Sequence, residues 1–165
     1  MILVGFGANL PSPRHGDPVA TCTAALAALE RAGVRVRRRS RWYRSAPVPP
    51  SDQPWFVNGV AEVETDLDPA GLMAVLHGIE RDFGRVRRER NEARVIDLDL
   101  LAYGDRVSGP DQTPRLPHPR LADRAFVVLP LAELDPDWRH PESGLRARDL
   151  ASRLPPDQVI EAIDE

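Results

Sequence analysis

Hydrophobic and polar positions alternate most regularly in the stretch 94–103. Its apolar residues fall on one parity, namely Ile96, Leu98 and Leu100. The other parity carries Asp97, Asp99 and Tyr103. Because side chains on a strand point alternately to opposite faces, this stretch predicts a β-strand with one apolar face and one acidic face.

The remaining periodic segments predict three further strands and two helices. A short apolar run at 2–6 is typical of a buried strand, and the alternation at 34–43 and 55–65 predicts one strand each. Two helices begin where an aspartate N-cap precedes a proline, at Asp17-Pro18 and Asp68-Pro69. Apolar residues then recur at helical spacing until a glycine, Gly33 or Gly84, ends each helix.

The predicted order of elements is β-α-β-β-α-β, followed by a C-terminal appendage with a helix within 120–134 and a short one within 145–154. This order predicts an α+β, ferredoxin-like fold, in which an antiparallel sheet carries both helices on one face. We expect one domain, residues 1–165, whose open sheet face carries the acidic side chains.

Composition narrows the class of protein. The formal net charge of −3 argues against a general nucleic-acid-binding protein, and 42% hydrophobic with 28% charged residues is ordinary for a globular domain. The single cysteine, Cys22, allows no internal disulfide, and its place on a helical apolar stripe indicates core packing. No apolar run is long enough to span a membrane, so we expect a cytoplasmic protein.

Asp97 and Asp99 are the first candidate functional residues. On a strand their Cα atoms lie roughly 6.6 Å apart with both side chains on one face. A divalent cation would relieve the repulsion between them, and Mg²⁺ suits one or two carboxylates with waters and phosphates as further ligands. The alternative is an ordinary solvated strand face. Arginines crowd the segment just before the strand, at Arg85, Arg87, Arg88, Arg90 and Arg94. Since arginine matches phosphate geometry, they favour a polyphosphate site.

Phe56 and Asn58 form a second candidate pair, on the polar face of the 55–65 strand. A flat ligand stacked on the phenyl ring and hydrogen-bonded by the amide would explain them, and a loop covering Phe56 is the alternative. The run of arginines within 35–41 indicates either a nucleic-acid patch or, more simply, an edge strand protected by charge. Glu80 reads most simply as a surface residue, whereas His118 is held between two prolines.

Several short motifs together resemble one enzyme family. They are Gly7-Ala8-Asn9-Leu10, Asp52-Gln53-Pro54 with Phe56 and Asn58, Glu80 to Gly84 followed by Arg85-Val86-Arg87, Arg94 to Asp99, and Pro117-His118-Pro119 with Arg124-Ala125-Phe126. In this combination, over essentially the whole chain, the sequence resembles the 6-hydroxymethyl-7,8-dihydropterin pyrophosphokinase family. That resemblance implies transfer of diphosphate from ATP to the hydroxymethyl group of the pterin, with release of AMP, in folate biosynthesis.

The resemblance also implies a role for each matching residue. Two Mg²⁺ ions would bind Asp97 and Asp99, which would be catalytic together with Arg85 and Arg87 on a mobile loop. The pterin would contact Ser45, Val48, Phe56, Asn58 and Phe126. ATP would contact Glu80, Arg87, Arg94, His118 and Arg124. The partners would be these two small molecules, with no nucleic acid and no membrane, and the protein would be a monomer.

The sequence departs from the family pattern in places, and two alternative functions remain open. Ala8 stands where serine is usual, and the loop between Arg87 and Arg94 is one residue short and lacks a tryptophan. A different two-metal nucleotidyl transferase or cyclase on a palm-like ferredoxin fold would also use carboxylates on a strand. A non-catalytic nucleotide-sensing module would need neither the metal pair nor a second ligand pocket.

Overall fold

The computed structural model describes residues 1–12, 14–47, 49–84 and 95–163. The strands in this part of the chain are β1 (Ile2–Ala8), β2 (Arg35–Arg39), β3 (Tyr43–Ser45), β4 (Phe56–Glu64), β5 (Asp97–Tyr103) and β6 (Ile160–Ala162). The α-helices are α1 (Pro18–Arg31), α2 (Pro69–Asp82), α3 (Ala125–Leu134) and α4 (Ala147–Ser152), with a 3-10 turn at Leu121–Asp123 before α3.

The strands form one antiparallel sheet in the order β5-β1-β4-β3-β6. β2 also pairs with β4, along the C-terminal part of β4, whereas β3 pairs with its first residues. Both predicted helix starts are confirmed, because Asp17 accepts a hydrogen bond from Ala20 N (2.8 Å) and Asp68 accepts one from Gly71 N (2.7 Å). The order of elements and the antiparallel sheet confirm the ferredoxin-like fold.

A first hydrophobic core lies between the sheet and the two helices α1 and α2. Leu29 of α1 and Leu72 and Leu76 of α2 are fully buried there against Val4 of β1. Cys22 lies in the same core, as its place on the apolar stripe predicted, and burial raises the pKa of its thiol to about 12. Cys22 therefore packs as a small apolar side chain.

The opposite face of the sheet carries a second core, which the sequence did not predict. The appendage packs there, with Val128 and Leu131 of α3 and Leu150 of α4 against Leu3 and Val60. This face is therefore only partly open, and the acidic strand borders the uncovered part.

The single strand predicted at 34–43 is wrong, since the chain forms β2 and β3 with a break between them. The break lies at Ser40, whose hydroxyl oxygen accepts a hydrogen bond from Val60 N (3.1 Å) and donates to Arg41 O (2.7 Å). The Ser40 side chain thus takes the place of a main-chain acceptor for the Val60 amide of β4. Two residues later, Trp42 packs into the first core.

The alternation along β5 also ends earlier than predicted. Val4 lies opposite Leu100 but Leu3 lies opposite Ala102, so Leu101 is the extra residue of a β-bulge. After the bulge Tyr103 packs against the first core, and its hydroxyl donates to Leu67 O. The prediction that Tyr103 shares the face of Asp97 and Asp99 is therefore wrong.

The arginine run lies on β2 and its neighbours. Arg37 forms an ion pair with Glu64 (2.9 Å) and Arg38 with Glu62 (2.8 Å). These contacts favour a charged strand paired with β4 over a nucleic-acid patch. Among the described residues, no helix combines the length and apolar character needed to cross a membrane.

Candidate active site

One row of residues crosses the sheet at the centre of the candidate site. Asp97 on β5 lies opposite Gly7 on β1, Gly7 lies opposite Asn58 on β4, and Asn58 lies opposite Tyr43 on β3. In the next row along β5, Asp99 lies opposite Gly5. Two glycines thus leave the sheet surface beside both aspartates without side chains.

A cavity of about 430 Å³ opens over this row, which is within the usual size of a small-molecule pocket. The sheet supplies its floor, the start of α3 and the turn before it supply one wall, and residues near the C-terminus supply another. The predicted site residues that line it are Ser45, Phe56, Asn58, Asp97, Asp99, Arg124 and Phe126. Residues far apart in sequence therefore converge here, including the Phe56, Asn58, Asp97 and Asp99 side chains that the predicted sheet places on one face.

The aromatic and amide residues lie at one end of the cavity. Asn58 is buried and donates a 2.7 Å hydrogen bond from Nδ2 to Ser45 Oγ, which fixes the orientation of its amide. Phe56 lies opposite Ser45 in the β3–β4 pairing. Phe126 reaches the same cavity from α3, and the Arg124 guanidinium lies 5.3 Å from the centre of its ring. This end therefore offers aromatic surface for the face of a flat ligand and polar groups that can hydrogen-bond the edge of that ligand.

The acidic end is formed by Asp97 and Asp99, which are both half-buried on β5. Two carboxylates on one face are a donor set that suits Mg²⁺. Among the described residues there is no group of three or more metal-binding side chains. Two carboxylates fit a magnesium ion whose remaining ligands would be water and phosphate oxygens.

Cationic side chains lie next to the aspartates. Burial lowers the pKa of Arg124, and the neighbouring Arg120 lowers it further, whereas Asp99 and Asp97 oppose the shift. Burial of Arg124 next to two carboxylates places a positive charge where a phosphate chain would meet the acidic end.

His118 is brought to the same region by a main-chain hydrogen bond of 2.8 Å from His118 N to Leu101 O on β5. Burial lowers the pKa of its imidazole; Asp99 opposes this shift, and Arg124 and Arg120 add to it. The ring is therefore within electrostatic reach of both the acidic and the cationic groups, although it is not part of the cavity lining.

Glu80 is buried, with only 3% of its surface exposed, and its Oε2 accepts a hydrogen bond from Leu98 N (3.1 Å). The prediction of an ordinary surface glutamate is therefore wrong. Leu98 lies between the two aspartates on β5, so Glu80 joins α2 to the strand that carries them.

Four predicted site residues lie outside the described part of the chain. They are Val48, Arg85, Arg87 and Arg94. The Gly7-Ala8-Asn9-Leu10 motif contacts the Asp52-Gln53-Pro54 motif: Asn9 donates hydrogen bonds to Gln53 Oε1 (3.1 Å) and Pro54 O (3.3 Å).

Sequence reasoning missed several residues that line the cavity. They are Gly5, Gly7, Arg120, Asp123, Pro155, Asp157 and Gln158, among others. The glycines could have been found from the pairing of β1 with the acidic strand. The segment 155–158 carries no periodic pattern that predicts its place, because its position depends on the pairing of β6 with β3.

Residues 3–136 match the model of the 7,8-dihydro-6-hydroxymethylpterin-pyrophosphokinase (HPPK) family. Three bacterial relatives are each named 2-amino-4-hydroxy-6-hydroxymethyldihydropteridine pyrophosphokinase. The one from Synechocystis sp. is 41% identical over 143 residues, covering 86% of this chain and 70% of the relative. The one from Methylorubrum extorquens is 43% identical over 136 residues, with 81% and 82% covered. The one from Pseudomonas aeruginosa is 43% identical over 144 residues, with 86% and 84% covered.

Solved structures with the same fold include Plasmodium falciparum HPPK-DHPS chains. One of them, a triple mutant with STZ-DHP, has a TM-score of 0.72 at 14% identity and covers 92% of this chain and 42% of that chain. This chain thus spans less than half of that solved chain, and the likeness shows the fold alone. The family match and the bacterial relatives show more: the chain belongs to the 7,8-dihydro-6-hydroxymethylpterin-pyrophosphokinase family.

Proposed function

We propose that this protein transfers the β,γ-diphosphate of ATP to the hydroxymethyl group of 6-hydroxymethyl-7,8-dihydropterin and releases AMP, as a step of folate biosynthesis. The observation that carries the proposal is the single cavity that joins an aromatic and amide end to an acidic and cationic end. A pterin is flat and polar at its edge, and a nucleotide triphosphate is anionic, so the two ends suit the two substrates. The names of the bacterial relatives support the same reaction.

The pterin would bind at the aromatic end. Phe56 and Phe126 would stack on its ring system, and each ring contributes on the order of 1 kcal/mol beyond burial. Asn58 would read the polar edge of the pterin, because its amide is already oriented by Ser45. Val48 would contribute to the same site. A preoriented amide avoids the loss of side-chain freedom on binding.

The triphosphate of ATP would lie along the acidic end. Asp97 and Asp99 would hold two Mg²⁺ ions, which when bound neutralise phosphate charge and orient the phosphorus for attack. Arg124 and His118 would bind ATP with two arginines outside the described residues, Arg87 and Arg94. Glu80, which is buried and lies outside the cavity lining, would support this site through its hydrogen bond to Leu98 N. Arg85 and Arg87 would stabilise the charge that spreads over the transferred oxygens.

The reaction forms one bond and breaks one. The hydroxymethyl oxygen attacks the β-phosphorus of ATP, and the bond between that phosphorus and the bridging α,β-oxygen breaks. AMP leaves with the bridging oxygen, and the hydroxyl proton passes to solvent. The protein would contribute mainly positioning and electrostatic stabilisation, because phosphoryl transfer leaves it charge to neutralise and groups to align.

We also propose that residues 1–165 form a single domain that acts as a monomer on these small molecules, with no nucleic acid. One sheet extends from β1 to β6, and both cores pack on it. This arrangement supports one domain, because neither core is separate from the shared sheet.

Product analysis tests the reaction. The purified protein is incubated with ATP, Mg²⁺ and the dihydropterin, and ³¹P NMR follows the nucleotides and the pterin diphosphate. We expect one AMP for each pterin diphosphate formed, and no AMP with 6-methyl-7,8-dihydropterin, which lacks the hydroxyl. Formation of ADP, or AMP release that does not depend on the hydroxymethyl group, would contradict the proposal.

A further inference from the structure

The first turn of α3 is capped from outside the helix. The residue at the N-cap position is Arg124, which makes no side-chain capping hydrogen bond. Gln158, near the C-terminus, takes over this role: its Oε1 accepts a hydrogen bond from Ala125 N (2.9 Å). Its Nε2 donates to Asp123 O (2.9 Å), so one side chain holds both sides of the turn that leads into α3.

The contact between Gln158 and Ala125 lies next to two residues that line the cavity. Arg124 and Phe126 flank Ala125, the residue whose amide Gln158 binds, and both of them line the cavity. Gln158 itself lines the cavity with Pro155 and Asp157. These three residues lie beyond 136, where the match to the family model ends.

The C-terminal segment is anchored independently of this contact. β6 pairs with β3, and Ala46 N donates a 3.0 Å hydrogen bond to Val159 O, the residue next to Gln158. The anchor is on the same strand that presents Ser45 to Asn58. Gln158 therefore ties the start of α3 to the strand that orients the amide of the site.

We propose that Gln158 is a positioning residue for the pterin: by capping α3 from the C-terminal segment, it sets the place of Phe126 relative to Phe56 and Asn58. This inference rests on the proposed function, since it concerns how the same cavity holds its flat substrate. The physical reason is that a helix start without a cap frays, and fraying would move the first-turn side chain Phe126. The segment 155–158 thereby becomes a determinant of pterin affinity.

Two substitutions and a matched control separate positioning from general stability. Gln158→Leu removes both hydrogen bonds at similar size, and Gln158→Glu keeps an acceptor for Ala125 N but loses the donor to Asp123 O. Gln112→Leu is the control, because Gln112 Oε1 accepts a comparable bond from Gly109 N (2.6 Å) in a loop outside the cavity lining. For each protein, KM for both substrates, kcat, the Kd for the pterin and the unfolding midpoint are measured.

We expect Gln158→Leu to raise the KM and the Kd for the pterin about fivefold, the size of losing one helix cap, with kcat changed less than about twofold. Gln158→Glu should show a smaller rise, and Gln112→Leu should match the wild type. A merely structural role would instead lower the unfolding midpoint and kcat, because less protein is folded, and leave KM unchanged. If the wild type is active and Gln158→Leu has the same pterin KM as Gln112→Leu, this inference is overturned and the proposed function stands. If the wild type is inactive, the proposed function itself is overturned.

Hydrogen exchange of the wild type gives a test that does not depend on the folding of any variant. The Ala125 amide should already be protected in the ligand-free protein, because Gln158 binds it there. Rapid exchange of this amide, at the rate of an exposed loop, overturns the inference.

Discussion

Gly7 on β1 lies directly opposite Asp97 on β5, so the strand next to the acidic face carries no side chain at that point. A Cβ atom added to Gly7 would lie 3.1 Å from Asn58 Oδ1, which is closer than ordinary packing allows. The glycine therefore keeps open the space between the amide and the carboxylate, where the two proposed substrates would meet.

The Gly7→Ala substitution should weaken pterin binding about tenfold, because Asn58 must move and lose its alignment with Ser45. It should also lower the free energy of unfolding by about 1 kcal/mol through overpacking. Calorimetry with the pterin and chemical denaturation measure the two effects. Gly78→Ala is the control: its Cβ would meet only Arg81 Nη2, at 3.9 Å. This helical position should be stabilised by about 0.5–1 kcal/mol with pterin binding unchanged. Equal pterin affinity in the two variants would contradict the role of Gly7.

The Asp97→Asn and Asp99→Asn substitutions should each reduce diphosphate transfer at least about a hundredfold, because each removes a charged ligand from the proposed magnesium site. Asparagine has the shape of aspartate, so the unfolding midpoint should change little. Turnover is measured over a range of Mg²⁺ concentrations, with Asp111→Asn as a control that removes a carboxylate from an exposed loop. Near-normal turnover of Asp97→Asn at saturating Mg²⁺ would rule out the metal assignment.

The Phe126→Ala and Asn58→Ala substitutions should each weaken pterin binding about tenfold or more, with the affinity for ATP alone nearly unchanged. Asn58→Ala also leaves buried Ser45 without its donor, which costs about 1–3 kcal/mol of stability. Pterin fluorescence and calorimetry provide the dissociation constants. Trp55→Ala is the control, because Trp55 adjoins Phe56 in sequence but is 42% exposed and lies outside the cavity lining. If Phe126→Ala and Asn58→Ala bind the pterin as Trp55→Ala does, the pocket is wrongly placed.

Tyr43 joins β3 to α3, since its hydroxyl donates a 2.6 Å hydrogen bond to Glu133. Burial raises the pKa of Tyr43 from 10.0 to about 12, and the Glu133 carboxylate adds to the shift. The folded protein thus holds this proton more tightly than the unfolded chain does. The resulting stabilisation is complete below pH 10 and is lost as the pH rises from 10 to about 12.

We therefore expect Tyr43→Phe to be less stable than the wild type by about 1 kcal/mol at neutral pH, with the difference narrowing above pH 10. Urea denaturation at neutral pH and in this alkaline range measures it. Arg44→Ala on the same strand is the control, because its ion pair with Glu161 is exposed and should be worth less than about 1 kcal/mol. A constant gap between Tyr43→Phe and the wild type across both ranges would argue against the proton linkage.

The sequence by itself determined the features that depend on neighbouring residues. Asp17 and Asp68 mark the starts of α1 and α2, because a capping side chain acts on amides three residues away. The alternation within β4 and β5 determined that Phe56 and Asn58 share one face of β4 and that Asp97 and Asp99 share one face of β5, because side chains of a strand alternate whatever the partner strand is. These rules are local, and the convergence on one cavity followed from them and the order of elements.

Tertiary structure decided the features that depend on residues distant in the chain. The bulge at Leu101 turned Tyr103 to the other face, because the pairing with β1 shifts there. Ser40 ended β2, because its hydroxyl replaces a main-chain partner for Val60. The second core arises because α3 and α4 pack on β1 and β4, which lie much earlier in the sequence. The Gln158 cap arises because the pairing of β6 with β3 brings Gln158 to the start of α3. No local pattern encodes such a pairing, because its free energy comes from contacts that exist only once the sheet has formed.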